Sequence, residues 1–158
     1  MKMKNLMLEG AHIVFKNFSG EEKKYNRKGD RNFGLVIEDP DYAQELIADG
    51  WNVKVWAPKT EEYPNGDPNI AFYYIPVAVT YDNFPPQIYL ITGSKKKLLN
   101  VETVGSVDGA FITNVDVSVR PYVWEVNGKS GVKAYVKQMY ITIASNEFDD
   151  KYSEYDED

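Results

Sequence analysis

Cationic and aromatic residues that alternate with aliphatic ones are the most informative feature of this sequence. Over residues 115–123, four valines and a proline occupy one register, and the other register ends in Arg120, Tyr122 and Trp124. Successive side chains of a β-strand point to opposite faces, so these three residues should share an outward face. The same spacing recurs in two other predicted strands, which carry Lys133, Tyr135 and Lys137, and Lys54 and Trp56. We expect the rings at positions 56, 122, 124 and 135 to form one surface platform.

Cations and rings on one sheet face suit the binding of single-stranded nucleic acid. Cations attract phosphates, and each ring that stacks on an exposed base contributes about 1–3 kcal/mol. A duplex exposes no base faces for such stacking. Two structural interpretations stay open. Tyr122, Trp124 and Tyr135 could pack against one another and a loop as an outer apolar cluster, and Arg120 could form an ordinary surface ion pair.

The composition excludes most familiar catalytic classes. The chain has no cysteine, which removes disulfides, thiolate metal sites and cysteine nucleophiles, and its one histidine, His12, cannot build a multi-histidine zinc site. Acidic pairs such as Asp39 with Asp41 fit helix caps or solvated loops, because no third acid recurs at metal-ligand spacing. We therefore expect a protein that is not an enzyme and has neither a metal nor a cofactor.

No apolar run approaches the roughly 18 residues of a membrane span, and no signal-like apolar segment follows the N-terminus. These features predict a cytoplasmic protein without a membrane partner.

The net charge of −6 is concentrated at the end of the chain. Residues 147–158 carry seven acids and one lysine, whereas residues 1–146 hold 17 acidic and 17 basic residues. A segment this charged, without aliphatic residues, cannot offset the entropy of ordering. We expect one domain over residues 1–146 and a disordered acidic tail over 147–158. The tail could merely solubilise the protein, or it could bind partner proteins through Phe148, Asp149, Asp150, Tyr152, Tyr155 and Asp156.

The remaining pattern predicts a mainly β protein with one short helix. Asp39 and Pro40 should begin the helix, and Gly50 should end it. Pro76 suggests an edge or a bulge in its strand. Residues 19–30 read as a flexible loop within a basic segment, and residues 127–131 as the turn of a long hairpin. Strands are expected at residues 11–18, 32–37, 51–57, 70–81, 87–92, 112–126 and 132–144. The favoured architecture is a Greek-key barrel of the OB type, with a jelly roll and a sandwich as alternatives.

Short motifs in a fixed order cover about residues 10–145. They are NFSG at 17–20, NRKGDRNF at 26–33, GWNVK at 50–54, VDV at 115–117, RPYVW at 120–124 and GVKAYVK at 131–137. In this order they resemble bacteriophage single-stranded DNA-binding proteins, which are OB-fold proteins with an acidic C-terminal tail.

The resemblance implies a protein of DNA replication, recombination and repair in the host cytoplasm, which coats exposed strands and recruits enzymes through its tail. It implies DNA-binding roles for Arg31 and Phe33, Lys54 and Trp56, and Tyr122, Trp124 and Tyr135. Two other functions remain as alternatives. One is a β-sandwich virion or assembly protein whose aromatic faces are interfaces, and the other is a nuclease, for which no carboxylate cluster is evident.

Overall fold

Alternation of aliphatic with polar residues produces the strands, and Gly, Pro and Asn separate them. The computed structural model describes residues 3–82 and 84–144. Its elements are β1 (Leu6–Leu8), β2 (Ile13–Asn17), β3 (Arg31–Ile37), α1 (Pro40–Ala48), β4 (Lys54–Trp56), β5 (Phe72–Val79), β6 (Gln87–Thr92), β7 (Lys95–Leu99), a 3₁₀ helix (Val104–Gly109), β8 (Ile112–Val126) and β9 (Lys129–Ile143). The prediction of a mainly β fold with one short helix is confirmed. The predicted acidic tail lies outside the described residues.

The long strands form a sheet that closes on itself. β3 pairs with β2 and β5, β5 pairs in parallel with β9, and β9 pairs with β8. β1 pairs with β8, and the chain then crosses to β3: Ala11 N–H donates to the Val115 carbonyl (2.8 Å), and the His12 carbonyl accepts from Val36 N–H (3.0 Å). The first segment therefore joins both ends of the sheet. The result is a Greek-key barrel of the OB type.

Two smaller pieces extend this barrel. β4 pairs with residues 72–74 of β5, and the β6–β7 hairpin pairs in parallel with the last part of β9. Within residues 3–82 and 84–144, no helix is long and apolar enough to span a membrane.

The barrel interior is filled by one register of each long strand. Leu35, Ile75, Val119, Val136 and Ile141 are among the buried side chains that meet there. Since these positions alternate with exposed ones, the opposite register of each strand remains on the outside of the barrel.

The helix has the predicted ends. The Asp39 carboxylate accepts from Asp41 N–H at 2.9 Å, and Pro40 is the first helical residue. Gly50 has φ +104°, which favours glycine, and follows the last turn. Ala43 and Leu46 are buried in the core, so the helix is amphipathic as expected.

Three local predictions are wrong. The strand expected at 11–18 contains an irregularity between Val14 and Asn17, where Phe15 has φ +54°, so β2 does not continue as one regular strand over those residues. The strand expected at 51–57 is limited to β4, because Trp51 N–H instead closes the helix end on the Leu46 carbonyl. The turn expected at 127–131 has only two residues, Asn127 and Gly128, both with positive φ.

Pro76 also departs from prediction, because β5 is an interior strand. One edge of β5 pairs continuously with β3, and the other pairs with β4 at residues 72–74 and with β9 at Val77 and Ala78. Pro76 lies in the interval between those two pairings. A residue without an N–H is tolerated where that edge needs no donor.

Candidate nucleic-acid interface

Five of the predicted binding residues line one groove on the outside of the barrel. The groove has a volume of about 530 Å³, and its floor includes residues 76–80 of the β5 segment and 132–135 of β9. Parallel pairing of Ala78 with Tyr135 joins the two parts of this floor. The predicted residues at the groove are Arg31, Lys54, Trp124, Lys133 and Tyr135.

The groove combines cations with acids that limit its net charge. Arg31, Lys54 and Lys133 line it together with Asp30 and Asp82. The three cations come from three separate elements, β3, β4 and β9. Each of these elements therefore contributes one cation to the groove, against two acids.

Arg31 has unused hydrogen-bonding capacity. One of its guanidinium nitrogens donates to the Val101 carbonyl at 3.5 Å, while its buried Nε has no partner among the residues that the structure describes. The buried hydroxyl of Tyr81 likewise lacks a partner. Burial raises the pKa of Tyr81, and the nearby charge of Arg31 partly opposes that shift. Because Arg31 lines the groove, its guanidinium charge is placed to attract a phosphate, although Nε itself is enclosed by protein.

Trp124 and Tyr135 are held in place by different neighbours. Trp124 lies opposite Gly131 in the hairpin, where a Cβ would approach its ring to 2.6 Å. Tyr135 meets Tyr122 edge to face, with ring centres 6.3 Å apart. This contact matches part of the apolar-cluster interpretation, but Tyr122 remains 52% exposed and Trp124 and Tyr135 line the groove.

Arg120 interacts with rings. Its Cζ lies 5.2 Å from the centre of the Tyr135 ring and 5.7 Å from that of Phe84, and no ion pair of Arg120 occurs among the described residues. Phe84, which is 81% exposed, was not predicted as a binding residue from the sequence. A phenylalanine in a polar loop just before two prolines was the available signal.

Trp56 belongs to a second group of rings, so the prediction of one four-ring platform is wrong. Its ring centre lies 5.6 Å from that of Phe15 and 5.3 Å from that of Phe72, and Tyr74 lies 5.4 Å from Phe15. These four residues form the β4–β5 ring cluster. Gly34 lies beneath it, where a Cβ would come within 2.9 Å of Val14 and 3.1 Å of Tyr74.

The β4–β5 ring cluster and the groove lie on one continuous face. Lys54 is paired with Tyr74 and also lines the groove, and cross-strand partners share a face. The outward register of β5 runs from Phe72 through Pro76 to Ala78, a distance of about 20 Å. Rings and cations therefore follow the sheet from β4 to the end of the β8–β9 hairpin.

Two predicted residues lie elsewhere. Phe33 is only 2% exposed and stacks on Phe18 inside the barrel, with ring centres 5.3 Å apart, so its ring is not accessible to a base. Arg31 shares the inward register of β3 with Phe33, but it lies at the start of that strand, where it lines the groove. Lys137 is exposed on β9, outside the groove.

The loop before β3 is more ordered than the sequence suggested. Asn17 exchanges hydrogen bonds with the backbone of Glu21 at 2.9 Å, and the Asn26 amide donates to the Asp30 carbonyl at 2.8 Å. The carboxylate of Asp108 accepts from Phe18 N–H at 2.7 Å and Ser19 N–H at 3.0 Å. These contacts position the end of the loop at the groove.

The hydrogen bonds that Asp108 accepts also lower its pKa. Burial alone would raise the pKa of the carboxyl, but hydrogen bonds from Phe18 and Ser19 and the charge of Lys23 outweigh it, so the pKa lies below its ordinary value. A metal site is not evident in the part of the chain that the structure describes. Within residues 3–82 and 84–144, no group of three acidic or histidine side chains is placed to hold a metal ion.

The fold and groove define an OB-type barrel with a cationic and aromatic outer face. A family model of phage ssDNA-binding domains matches residues 1–158, and the chain belongs to this family. No curated protein matches the chain.

Solved structures of a phage protein share the fold. The single-stranded DNA-binding protein from bacteriophage Enc34 in complex with ssDNA has a TM-score of 0.53 and 10% identity, over 90% of this chain and 88% of that chain. The same Enc34 protein in a second structure has a TM-score of 0.52 and 9% identity, over 90% of this chain and 82% of that chain. At such low identity the likeness is one of fold.

Proposed function

We propose that this protein binds single-stranded DNA without sequence preference and coats exposed strands during phage DNA replication, recombination and repair. The observation that carries the proposal is the groove that combines Arg31, Lys54 and Lys133 with Trp124 and Tyr135. Family membership supports it, as does the shared fold with a phage protein whose structure contains ssDNA.

The groove chemistry favours binding over catalysis. Cations hold phosphates of any sequence, and Trp124 and Tyr135 stack on any base because every base has a flat face. Arg120, over the Tyr135 ring, adds charge at the groove edge. We therefore infer a binding protein with no enzymatic activity, whose affinity depends strongly on salt.

The binding path extends beyond the groove. Lys54 lies between the groove and the β4–β5 ring cluster, and Trp56 in that cluster is 40% exposed. A strand that follows the outward register of β5 would meet phosphate-binding and base-stacking groups in turn. This arrangement also explains how rings in two separate groups can serve one ligand.

The acidic segment at 147–158 has two proposed roles. Its charge competes with DNA for the cationic face, because tethering gives it a high effective concentration there. Its acidic and aromatic residues also recruit replication or recombination proteins once DNA displaces it. Residues 1–146 then act as the binding domain, in the host cytoplasm.

Titration with oligothymidine and with duplex of equal length tests this function. Trp56 and Trp124 should lose fluorescence when bases stack on them, and duplex should give little response; Trp51 is buried and provides a constant background. Affinity should fall steeply with salt. Lys54→Ala should weaken binding, whereas Lys59→Ala removes the same charge from an exposed position outside the groove. Equal affinity for duplex and single strand would contradict the proposal.

A further inference from the structure

A second cationic and aromatic patch lies where the β6–β7 hairpin joins β9. Tyr89 and Tyr140 are partners on adjacent parallel strands, and their rings stack with centres 5.1 Å apart and an interplanar angle of 12°. The ammonium of Lys96 lies 4.7 Å from the centre of the Tyr89 ring and 5.9 Å from that of Tyr140. It therefore bridges both rings.

Packing of the core does not account for this patch. Ile88, Met139 and Ile141 of the same strands are fully buried and fill the interior, while Tyr89 and Tyr140 occupy the outward register and are half-buried. The Gln138 side-chain amide donates to the Tyr140 hydroxyl at 2.9 Å and orients that ring.

The patch repeats the arrangement at the groove. There, the ammonium of Lys133 lies 5.4 Å from the centre of the Tyr135 ring, and Arg120 lies on the same ring. In both places an outward tyrosine is covered by a cation. Such a cation can move to a phosphate when a base stacks on the ring.

The two places are connected along β9. Tyr140 follows Tyr135 by five residues, or about 16 Å. Ser118 pairs with Gln138 and Val119 pairs with Val136, which leaves Lys137 without a partner residue on β8, at a bulge. Lys137 is exposed there, so a cation lies between the two tyrosine sites.

Acidic residues lie on the β8 side of the Tyr89–Tyr140 pair. Asp116 lies opposite Tyr140 on β8, and Glu9 lines the same hollow beside it. These acids would repel phosphates on the β8 side. Lys96 lies on the β7 side, which is therefore the favourable one.

We propose that single-stranded DNA leaving the groove at Tyr135 continues past Lys137 to the patch formed by Tyr89, Tyr140 and Lys96. The inference rests on the proposed function and adds a second part to its binding path. Phosphates contact Lys137 and Lys96, and a base stacks on the tyrosine pair. A longer strand therefore makes contacts that a short one cannot reach.

The test compares oligothymidines of about 4 and about 16 nucleotides, the limits of OB-fold site sizes, on the full chain. Lys96→Gln combined with Lys137→Gln should lower affinity for the long strand about tenfold and reduce its salt slope by about 1.4, at about 0.7 per phosphate. Binding of the short strand should change less than about twofold. Trp124→Ala should weaken both, and Lys59→Gln neither.

A second pair of variants separates stacking from charge. Tyr89→Phe keeps the ring and should preserve long-strand affinity, whereas Tyr89→Leu should lower it several-fold while thermal unfolding shows that the variant is folded.

An equal loss of affinity for the short and the long strand, or no loss for either, would overturn this extension. The second result would indicate that the patch binds a protein partner instead of DNA. If the wild-type chain bound neither oligothymidine, the proposed function itself would fail, and the extension with it.

Discussion

The indole of Trp124 lies directly against the backbone of Gly131, the residue opposite it in the β8–β9 hairpin. A Cβ at Gly131 would lie 2.6 Å from Cζ2 and 2.8 Å from Cε2 of the indole. Such distances are too short for any side chain. Glycine at this position therefore allows the indole to rest on the hairpin while it lines the groove.

Gly131→Ala should displace the indole and weaken oligothymidine binding about fivefold to tenfold, within the range for one stacked base. Gly131 is not among the residues with positive φ, so the backbone itself tolerates alanine and the effect should act through Trp124. Tryptophan emission and affinity report the two consequences. Ser130→Ala, at the exposed neighbouring position, is the control. A shifted emission with unchanged affinity would show that Trp124 does not contact DNA.

Trp124→Ala should lower oligothymidine affinity about tenfold, or about 1.4 kcal/mol, because it removes one stacking ring from the groove. Trp56→Ala tests the β4–β5 ring cluster in the same assay and should have a comparable effect if the strand crosses Lys54. Fluorescence anisotropy of labelled oligothymidine measures both. Full affinity in a folded Trp124→Ala chain would show that this ring only packs against its neighbours and does not stack on a base.

Alanine at Lys54, Arg120 or Lys133 should reduce the slope of log affinity against log salt by about 0.7 for each phosphate that the variant no longer binds. Arg31→Ala should do the same, since its guanidinium charge lies at the groove. Titrations over a salt series measure the slope for each variant beside Lys59→Ala. A fall in affinity at constant slope would mean that the residue acts through packing.

The free energy of unfolding should depend on pH because of Asp108. Its folded pKa is below its ordinary value of 3.8, so the unfolded chain binds the proton more readily. The resulting stabilisation is present above pH 3.8 and disappears as pH falls through the folded pKa. Urea unfolding over a pH series should show this decline, and Asp108→Asn should flatten it. Glu102→Gln, a change at an exposed carboxylate, should leave the profile as it is.

A chain that ends at residue 146 should bind oligothymidine more tightly than the full chain, because the seven acids of residues 147–158 no longer compete for the cationic face. The gain should be largest at low salt, where charges are least screened. Parallel titrations of the two chains across a salt series measure it. Equal affinities throughout would eliminate the competition and leave recruitment or solubility as the role of the segment.

Features that depend on neighbouring residues could be predicted from the sequence. The period of two over residues 115–123 predicted an outward face for Arg120, Tyr122 and Trp124, because side chains alternate along any strand. The alternation of buried and exposed residues holds up to Arg120, but Val123 of the predicted inward register is 58% exposed. Asp39 and Gly50 predicted the helix ends, because capping involves only adjacent backbone groups. The distribution of charge and the aromatic content could likewise be obtained from the sequence, because neither depends on which residues are in contact.

Which of these residues meet depends on the three-dimensional fold. Parallel pairing of Ala78 with Tyr135 joins β5 to β9 and so creates the groove floor, and no local pattern specifies that pairing or its register. The irregularity at Phe15 places its ring on the surface. Arg31 lines the groove at the start of β3, while Phe33, in the same register, is buried in the core. Pairings between distant strands depend on the packing of the whole barrel, which local propensities do not encode.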